Sequence, residues 1–194
     1  MVPLILLPNT QAAPLSAVYT EVALGNEVVL LTPLCCNIGG INLLQIRAGY
    51  QGQHVGLGGV LMGSMHAGQP WYSQTAPPYA PGHSMLFRLG PELAARFPFQ
   101  HLELQLQGHG GLSLYYSPIT PYEYRHDLLV YWGQPGLEPL ELAPWGGAAL
   151  ALSSGVDKPI HVLASLGADA MFTSIPLFSV NLIVGVRVTQ QTTP

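Results

Sequence analysis

The chain has 194 residues, of which 48% are hydrophobic and only 8% are charged. The length fits one domain with a filled core, and the hydrophobic content excludes an intrinsically disordered chain. A net charge of -4 with six Lys and Arg residues excludes the basic stripe that nucleic-acid binding requires. We predict a neutral surface, which favours permanent assembly because few ions lose water when a partner docks.

The N-terminal arm, residues 1–17, is apolar and interrupted by proline. Leu4, Ile5, Leu6 and Leu7 are its candidate interface residues, either packed on a neighbouring subunit or facing lipid. An edge strand of the same domain is the alternative interpretation. No positive residue precedes this run, so we predict neither a signal peptide nor secretion. No uninterrupted apolar run is long enough for a helix to cross a bilayer, so no transmembrane segment is predicted.

Short runs rich in alternating or β-branched residues, separated by Gly and Pro, predict strands along the rest of the chain. The predicted runs are Ala17–Leu24, Glu27–Thr32, Ile41–Ile46, His54–Met62, Met85–Leu89, His101–Gln107, Leu112–Tyr116, Asp127–Trp132, Ala148–Ser153, Ile160–Ser165 and Leu177–Thr189. Gly25–Asn26 and Gly146–Gly147 are among the predicted turns. Pro91–Arg96 is the one predicted helical turn, with proline early and Glu92 in the first turn.

The clearest element is the strand over His101–Gln107, where Leu102, Leu104 and Leu106 alternate with polar residues. This period of two indicates a half-buried strand. Gly108–Gly111 follows, and the alternation then resumes over Leu112–Tyr116. We therefore predict a β-hairpin with a glycine-rich turn.

Many short strands with regular turns predict an all-β fold, a single jelly-roll β-barrel or sandwich of about eight strands with long Pro-rich loops. Residues 18–194 form one domain in this interpretation. Residues 66–83 form a long loop that pairs proline with Trp71, Tyr72 and Tyr79, which are further interface candidates. An Ω-loop folded over its own barrel is the alternative.

No catalytic, cofactor-binding or metal-binding residue is predicted, and the protein is expected not to be an enzyme. The histidines are scattered and lack the spacing of a barrel metal site; they are His54, His66, His83, His101, His109, His126 and His161. Gly63–His66 lacks the second glycine of a nucleophile elbow. The polar cluster Tyr122–Asp127 is interpreted as a strand-entry loop, although it could supply a general acid and base. Cys35 and Cys36 are adjacent, predicting buried thiols rather than a disulfide.

A charge-poor chain rich in Gly and Pro, with short strands and proline-rich arms, resembles viral capsid proteins. It is most similar to the small single-jelly-roll major capsid proteins of tailless, membrane-containing icosahedral phages of Thermus. The resemblance implies a thermophilic bacteriophage virion protein that dimerises, assembles with a second coat protein over an internal lipid membrane and binds no nucleic acid. It carries over no catalytic or ligand residue.

Two other functions are kept as alternatives. Trp71, Tyr72, Tyr79, Trp132 and Trp145 could form a sugar-stacking platform, as in β-sandwich carbohydrate-binding modules. The third possibility is a cupin-like metal enzyme, because cupins share the jelly-roll scaffold.

Overall fold

The computed structural model describes residues 17–30, 41–67, 83–116, 123–125, 128–130, 140–154, 158–173 and 176–191. These residues form ten strands: β1 (Ala17–Leu30), β2 (Leu43–Gln51), β3 (Val55–Ala67), β4 (His83–Phe99), β5 (Leu102–Tyr116), β6 (Glu123–Arg125), β7 (Leu128–Val130), β8 (Leu140–Ser154), β9 (Ile160–Met171) and β10 (Leu177–Gln191). Within these ranges, no helix is long and apolar enough to cross a membrane.

Eight of the strands close into one antiparallel barrel, in the order β1-β10-β9-β8-β5-β4-β3-β2. Each barrel strand pairs with the barrel strands that precede and follow it in the chain, and β10 pairs with β1 to close the ring. Strands β6 and β7 form a separate two-stranded sheet within the connection from β5 to β8. The topology is therefore up-and-down.

The predicted jelly roll is wrong. A jelly roll joins strands of two facing sheets by long crossings, whereas here the barrel strands follow one another around a single closed sheet. The sequence patterns of the two folds are similar because both consist of short alternating strands separated by turns.

The strands are strongly staggered around the barrel. Starting from Ala17 and moving from each residue to its partner in the next strand, the path returns to β1 at Glu27, ten residues further along. Such a stagger tilts the strands against the axis and sets the width of the barrel. With eight strands, the interior has room for side chains.

The two ends of the barrel differ in the length of their connections. One end, called the turn end, holds both Ala17 and Gln191 and the short connections 52–54, 100–101 and 155–159. The other end, called the loop end, holds the connections 31–42, 68–82, 117–139 and 172–176. Three long connections therefore leave the barrel from the same rim.

The barrel strands place charged residues inward and apolar residues outward, whereas a water-soluble barrel does the opposite. Inward residues are odd-numbered in β1, β2, β5, β8, β9 and β10 and even-numbered in β3 and β4, and they include most of the charged residues. The predicted half-buried strand at Leu102–Leu106 has the opposite orientation, because Leu102 and Leu106 are exposed while Glu103 and Gln105 are buried.

Several predicted breaks lie inside continuous strands. Gly108–Gly111 is the centre of β5, where Gly110 and Gly111 pair with Gly146 and Trp145 of β8. Gly25–Asn26 lies within β1, and Pro91–Arg96 is extended chain within β4 rather than a helical turn. Tertiary pairing overrides the local turn and helix preferences at these positions.

We expect slow amide hydrogen exchange across residues 107–112 in the folded protein, with rates similar to those of residues 103–106. The reason is that a continuous strand pairs these residues with β8, whereas a hairpin turn would leave their amides in water. Mass-spectrometric hydrogen exchange would test this, and fast exchange confined to 108–111 would favour the hairpin.

Candidate functional surfaces: a charged lumen and an apolar belt

All ten charged residues of the eight barrel strands occupy inward positions. They are Glu21, Glu27, Arg47, Arg88, Glu92, Arg96, Glu103, Glu141, Asp169 and Arg187. The few charged residues of the barrel strands therefore do not lie on the outer surface, as they would in a water-soluble protein. The strands place their ions in the lumen.

The network nearer the loop end is centred on Arg88, which has no solvent exposure. Its guanidinium group forms ion pairs with Glu27 of β1 at 2.6 Å and with Asp169 of β9 at 2.7 Å. Arg88 lies on β4, so these contacts cross the lumen rather than link neighbouring strands. The guanidinium also lies 5.6 Å from the centre of the Trp145 ring, within cation–π range.

Asp169 is the shared acceptor of this network. Beyond Arg88, its carboxylate accepts a hydrogen bond from Asn181 at 2.9 Å and contacts Nε2 of His109 at 2.6 Å. Glu27 is also 3.4 Å from Nε2 of His66. Each carboxylate thus has several partners, which a buried ion requires to compensate for lost hydration.

The network nearer the turn end is centred on Glu21. Its carboxylate accepts hydrogen bonds from Arg47 at 3.3 Å and from Arg187 at 2.7 Å. Arg47 also pairs with Glu92 of β4 at 2.9 Å. Four strands, β1, β2, β4 and β10, are joined by these contacts, so the network stabilises this part of the closed ring.

Arg187 extends the turn-end network across the lumen to β5. It donates to Oε1 of Gln105 at 3.0 Å and lies 3.8 Å from Glu103, which also pairs with Arg96. The Arg187 guanidinium stacks over Tyr19 at 4.8 Å from the ring centre. The interior therefore has cross-links at two levels along the barrel.

Apolar side chains fill the lumen around the loop-end network. The cluster consists of Ala23, Leu43, Val60, Met62, Leu86, Tyr115, Trp145, Met171, Leu177 and Ile183. The apolar cluster and the two ionic networks together fill the lumen, and nearly all inward side chains are buried. Such an interior is a packed core rather than an open aqueous channel.

Gly147 provides the space for the His109 and Asp169 pair. A Cβ atom at this position would lie 1.9 Å from the Asp169 carboxylate and 2.7 Å from Nε2 of His109. By contrast, a Cβ atom on Gly108, an outward residue of β5, would meet no atom within 4 Å. The inward glycine is needed for close packing, and the outward one is not.

The outward faces of the strands form an apolar belt. Along the eight barrel strands, the outward positions carry Val, Leu, Ile, Phe, Met, Ala, Gly, Pro and a few uncharged polar residues, and none carries Asp, Glu, Lys or Arg. Leu142, Leu166 and Leu182, for example, are each more than half exposed. An exposed apolar surface of this extent marks contact with another protein or with lipid.

Aromatic residues concentrate toward the two edges of the belt. Tyr50, Phe97 and Phe99 point outward toward the turn end. Phe87, Tyr116, Phe172 and Phe178 point outward toward the loop end. Aromatic girdles at both interfaces are typical of barrels that cross a bilayer.

The sequence-predicted interface residues are not among those that the structure describes. Leu4, Ile5, Leu6, Leu7, Trp71, Tyr72 and Tyr79 lie outside the described residues, as do Cys35, Cys36 and Trp132. Trp145, a candidate for sugar stacking, is buried inside the lumen, where its indole nitrogen donates to the Leu89 carbonyl at 3.4 Å. It offers no open stacking surface.

The described residues also include several of the histidines and the Gly63–His66 segment. His66, His109 and His161 are buried and point inward, and His54 and His101 are exposed at the turn end. Ser64 lies within β3 and contacts Nε2 of His66 at 3.0 Å. Across the described ranges, no group of three metal-ligating side chains forms.

Comparison with known proteins gives matches in structure alone. No family model and no curated protein matches the chain. Neisserial surface protein A matches with a TM-score of 0.56 and 14% identity, over 89% of this chain and 96% of that one. Ail, the attachment invasion locus protein of Yersinia pestis, in complex with the heparin analogue sucrose octasulfate, matches with a TM-score of 0.51 and 10% identity, over 90% of this chain and 97% of that one.

The fold resembles that of outer-membrane β-barrel proteins. Both neighbours belong to that class, and the likeness covers nearly the whole of each chain. At these identities the similarity concerns the fold. The sequence analysis missed this fold for two reasons. It assumed that the apolar face of each strand points inward, and it considered only helices as membrane-crossing segments.

The predicted functions are corrected by these findings. A capsid shell subunit located in a virion, and a β-sandwich carbohydrate-binding module, are both wrong, since the neighbours are outer-membrane barrels. A cupin-like enzyme would require the jelly roll, which is absent from the described strands. The accompanying prediction of no transmembrane segment considered only helix-length apolar runs and took no account of strands.

We expect Arg88→Met to lower the free energy of unfolding by about 3–5 kcal/mol, because it leaves Glu27 and Asp169 buried without their cation. Urea titration of the barrel folded in detergent would measure the loss. The triple variant R88M/E27Q/D169N is the control, since it removes the charges together, and we expect it to recover much of the stability. Equal losses in both variants would contradict a role for the ion pairs.

We expect Gly147→Ala to destabilise the folded barrel by more than about 1 kcal/mol, since the new methyl group displaces His109 or Asp169. Gly108→Ala is the matched control, because both changes add one methyl to a strand glycine and only one methyl meets an occupied site. Thermal unfolding of the two variants in the same detergent gives the comparison. A Tm lowered equally in both would mean that backbone propensity, not lumen packing, determines the effect.

Proposed function

We propose that this protein is an integral membrane β-barrel of the outer-membrane type. In this proposal the eight barrel strands cross the bilayer and the long loop-end connections extend from one membrane face. The observation that carries the proposal is the complete segregation of charge, with every charged residue of the barrel strands in the lumen and none on the outer face.

The strand lengths and the aromatic girdles support this proposal. A tilted strand needs about 9–11 residues to cross the hydrocarbon core, and the barrel strands range from 9 to 17 residues. The girdles lie where interfacial aromatic residues are expected, at the two edges of the charge-free belt. In water, the same belt would expose side chains of Leu and Val around the whole circumference.

The filled lumen supports a role as a membrane-anchored scaffold for the loops rather than as a pore. The inward side chains are held by two ion networks and an apolar cluster, and Arg88 crosses the centre of the barrel with no solvent exposure. Barrels that conduct solutes have more strands and a water-filled interior. That the protein is not an enzyme, that it self-associates and that it binds no nucleic acid all stay predictions.

Two arginine substitutions on the same strand test the membrane location. Leu166 and Ile160 both lie on β9, both point outward, and they are 56% and 58% exposed. Leu166 is in the middle of the belt and Ile160 is the first residue of β9, at the turn end. We expect Leu166→Arg to destabilise the bilayer-folded protein by about 2–4 kcal/mol and Ile160→Arg by about 0–1 kcal/mol.

The measurement is reversible unfolding in lipid vesicles, followed by tryptophan fluorescence and by heat-dependent migration on gels. Depth dependence is the diagnostic feature, because only a bilayer makes the cost of an exposed charge vary along one strand. If both variants fold in aqueous buffer without lipid and have the stability of the unmodified chain, the membrane proposal is wrong.

A further inference from the structure

A glutamine of β2 lies inside the lumen with no protein partner for its amide group. Gln45 points inward and is 1% exposed. Among the described residues, neither its Oε1 nor its Nε2 atom has a hydrogen-bond partner. In β5, by contrast, the equally buried Gln107 donates to Oε1 of Gln105 at 2.9 Å. Burying an amide without hydrogen bonds is unfavourable, so buried polar groups are normally paired with protein or with ordered water.

The strand register places Gln45 close to Arg88. Gln45 pairs with Met62 of β3, and Met62 pairs in turn with Arg88 of β4. All three side chains point inward and are buried. The Nη1 and Nη2 atoms of Arg88 contact Asp169 and Glu27, whereas its Nε atom has no hydrogen-bond partner in the described part of the chain. The amide of Gln45 and the Nε atom of Arg88 therefore flank one apolar side chain.

The distance between these two residues suits a bridge through water. Two strand spacings separate β2 from β4, which places the backbones of Gln45 and Arg88 about 10 Å apart. Both side chains are long and point into the same lumen, so water can span what remains of this gap. On the other side of Gln45 the partner in β1 is Ala23, a small residue.

The chemistry of the three atoms selects a neutral ligand that both donates and accepts. Oε1 of Gln45 accepts a hydrogen bond, while Nε2 of Gln45 and Nε of Arg88 donate. A metal cation does not fit, because two of the three atoms carry N–H groups and one of them belongs to a guanidinium ion. An anion would be repelled by Glu27 and Asp169, which already bind that guanidinium. Water satisfies all three atoms, and about three hydrogen bonds are typical of a buried water molecule.

We propose that ordered water binds in the lumen between Gln45 and Arg88 and extends the loop-end network to β2. The water donates to Oε1 of Gln45 and accepts from Nε of Arg88. The neighbouring inward residues of β2 are Leu43, which is apolar, and Arg47, which belongs to the turn-end network. Gln45 is therefore the residue through which β2 joins the loop-end network. The site lies inside the barrel, so this inference does not depend on the membrane location.

Radiolytic labelling of the full chain, folded in detergent, tests this inference. An X-ray pulse converts bound water into hydroxyl radicals, and these oxidise a neighbouring methionine to its sulfoxide. In water labelled with a heavy oxygen isotope, mass spectrometry then reports which methionine lies beside bound water.

Met62 and Met171 are matched reporters. Both belong to the apolar cluster of the lumen and have no solvent exposure. Met171 pairs with Trp145 and Leu177, whereas Met62 lies between Gln45 and Arg88. We expect the isotope to enter Met62 about fivefold faster than Met171, because only Met62 lies beside the proposed water.

Gln45→Leu removes both amide atoms and places an apolar side chain beside an apolar cluster. We expect it to lower the labelling rate of Met62 to that of Met171, because the water loses two of its three partners. Gln107→Leu is the control variant, since it removes an equally buried amide from β5, and it should leave the labelling of Met62 unchanged.

Equal labelling of Met62 and Met171 in the unmodified protein overturns the inference, and this comparison requires no variant to fold. The inference is also overturned if Met62 is labelled as fast in Gln45→Leu as in the unmodified protein, since Gln45 then does not hold the water. Neither result bears on the proposed membrane location, which the two arginine substitutions on β9 test separately.

Discussion

Closure of the backbone hydrogen bonds is the constraint on which the structure depends. A sheet placed in hydrocarbon has no water to bond its edge groups, and each unsatisfied group costs several kcal/mol. Pairing of β1 with β10 over fourteen consecutive residues removes both edges. Once the ring is closed with eight strands and a stagger of ten residues, the lumen has a fixed width, and the inward side chains must fill it.

The width of the lumen explains how large ions and small residues are combined. Arg47, Arg88 and Arg187 are among the longest side chains in the interior, and the inward Gly147 leaves the space that Asp169, the partner of Arg88, occupies. The charges are tolerated because the carboxylates of Glu21, Glu27 and Asp169 each have two or more partners. Removing one ion leaves its partner in a dry interior, whereas removing matched charges does not.

The sequence predicted many of the strand positions but not which face points inward. Alternation of period two is the same whether the apolar set faces a core or lipid, so Leu102, Leu104 and Leu106 fit both arrangements. The informative residues were the charged ones, since Glu21 and Arg47 alternate with Val and Ile within apolar strands, where a soluble core excludes charge. Glycine pairs and Pro91 indicated breaks, yet β8 pairs with Gly110 and Gly111, and β3 pairs with Pro91, so that β5 and β4 stay continuous. The lumen contacts were beyond prediction because they join residues from strands distant in the chain, such as Arg88 and Asp169.

The alternation of inward and outward residues limits where the length of such a chain can change. Because inward and outward residues alternate strictly, inserting or deleting one residue within a strand exchanges its two faces from that point onward. In β9 such a change would bring Asp169 to the outer surface and Leu166 or Phe172 into the lumen, according to its position. We therefore expect insertions and deletions in related chains to fall in the connections between strands. The long connections at the loop end can change in length and sequence without altering the register of the barrel.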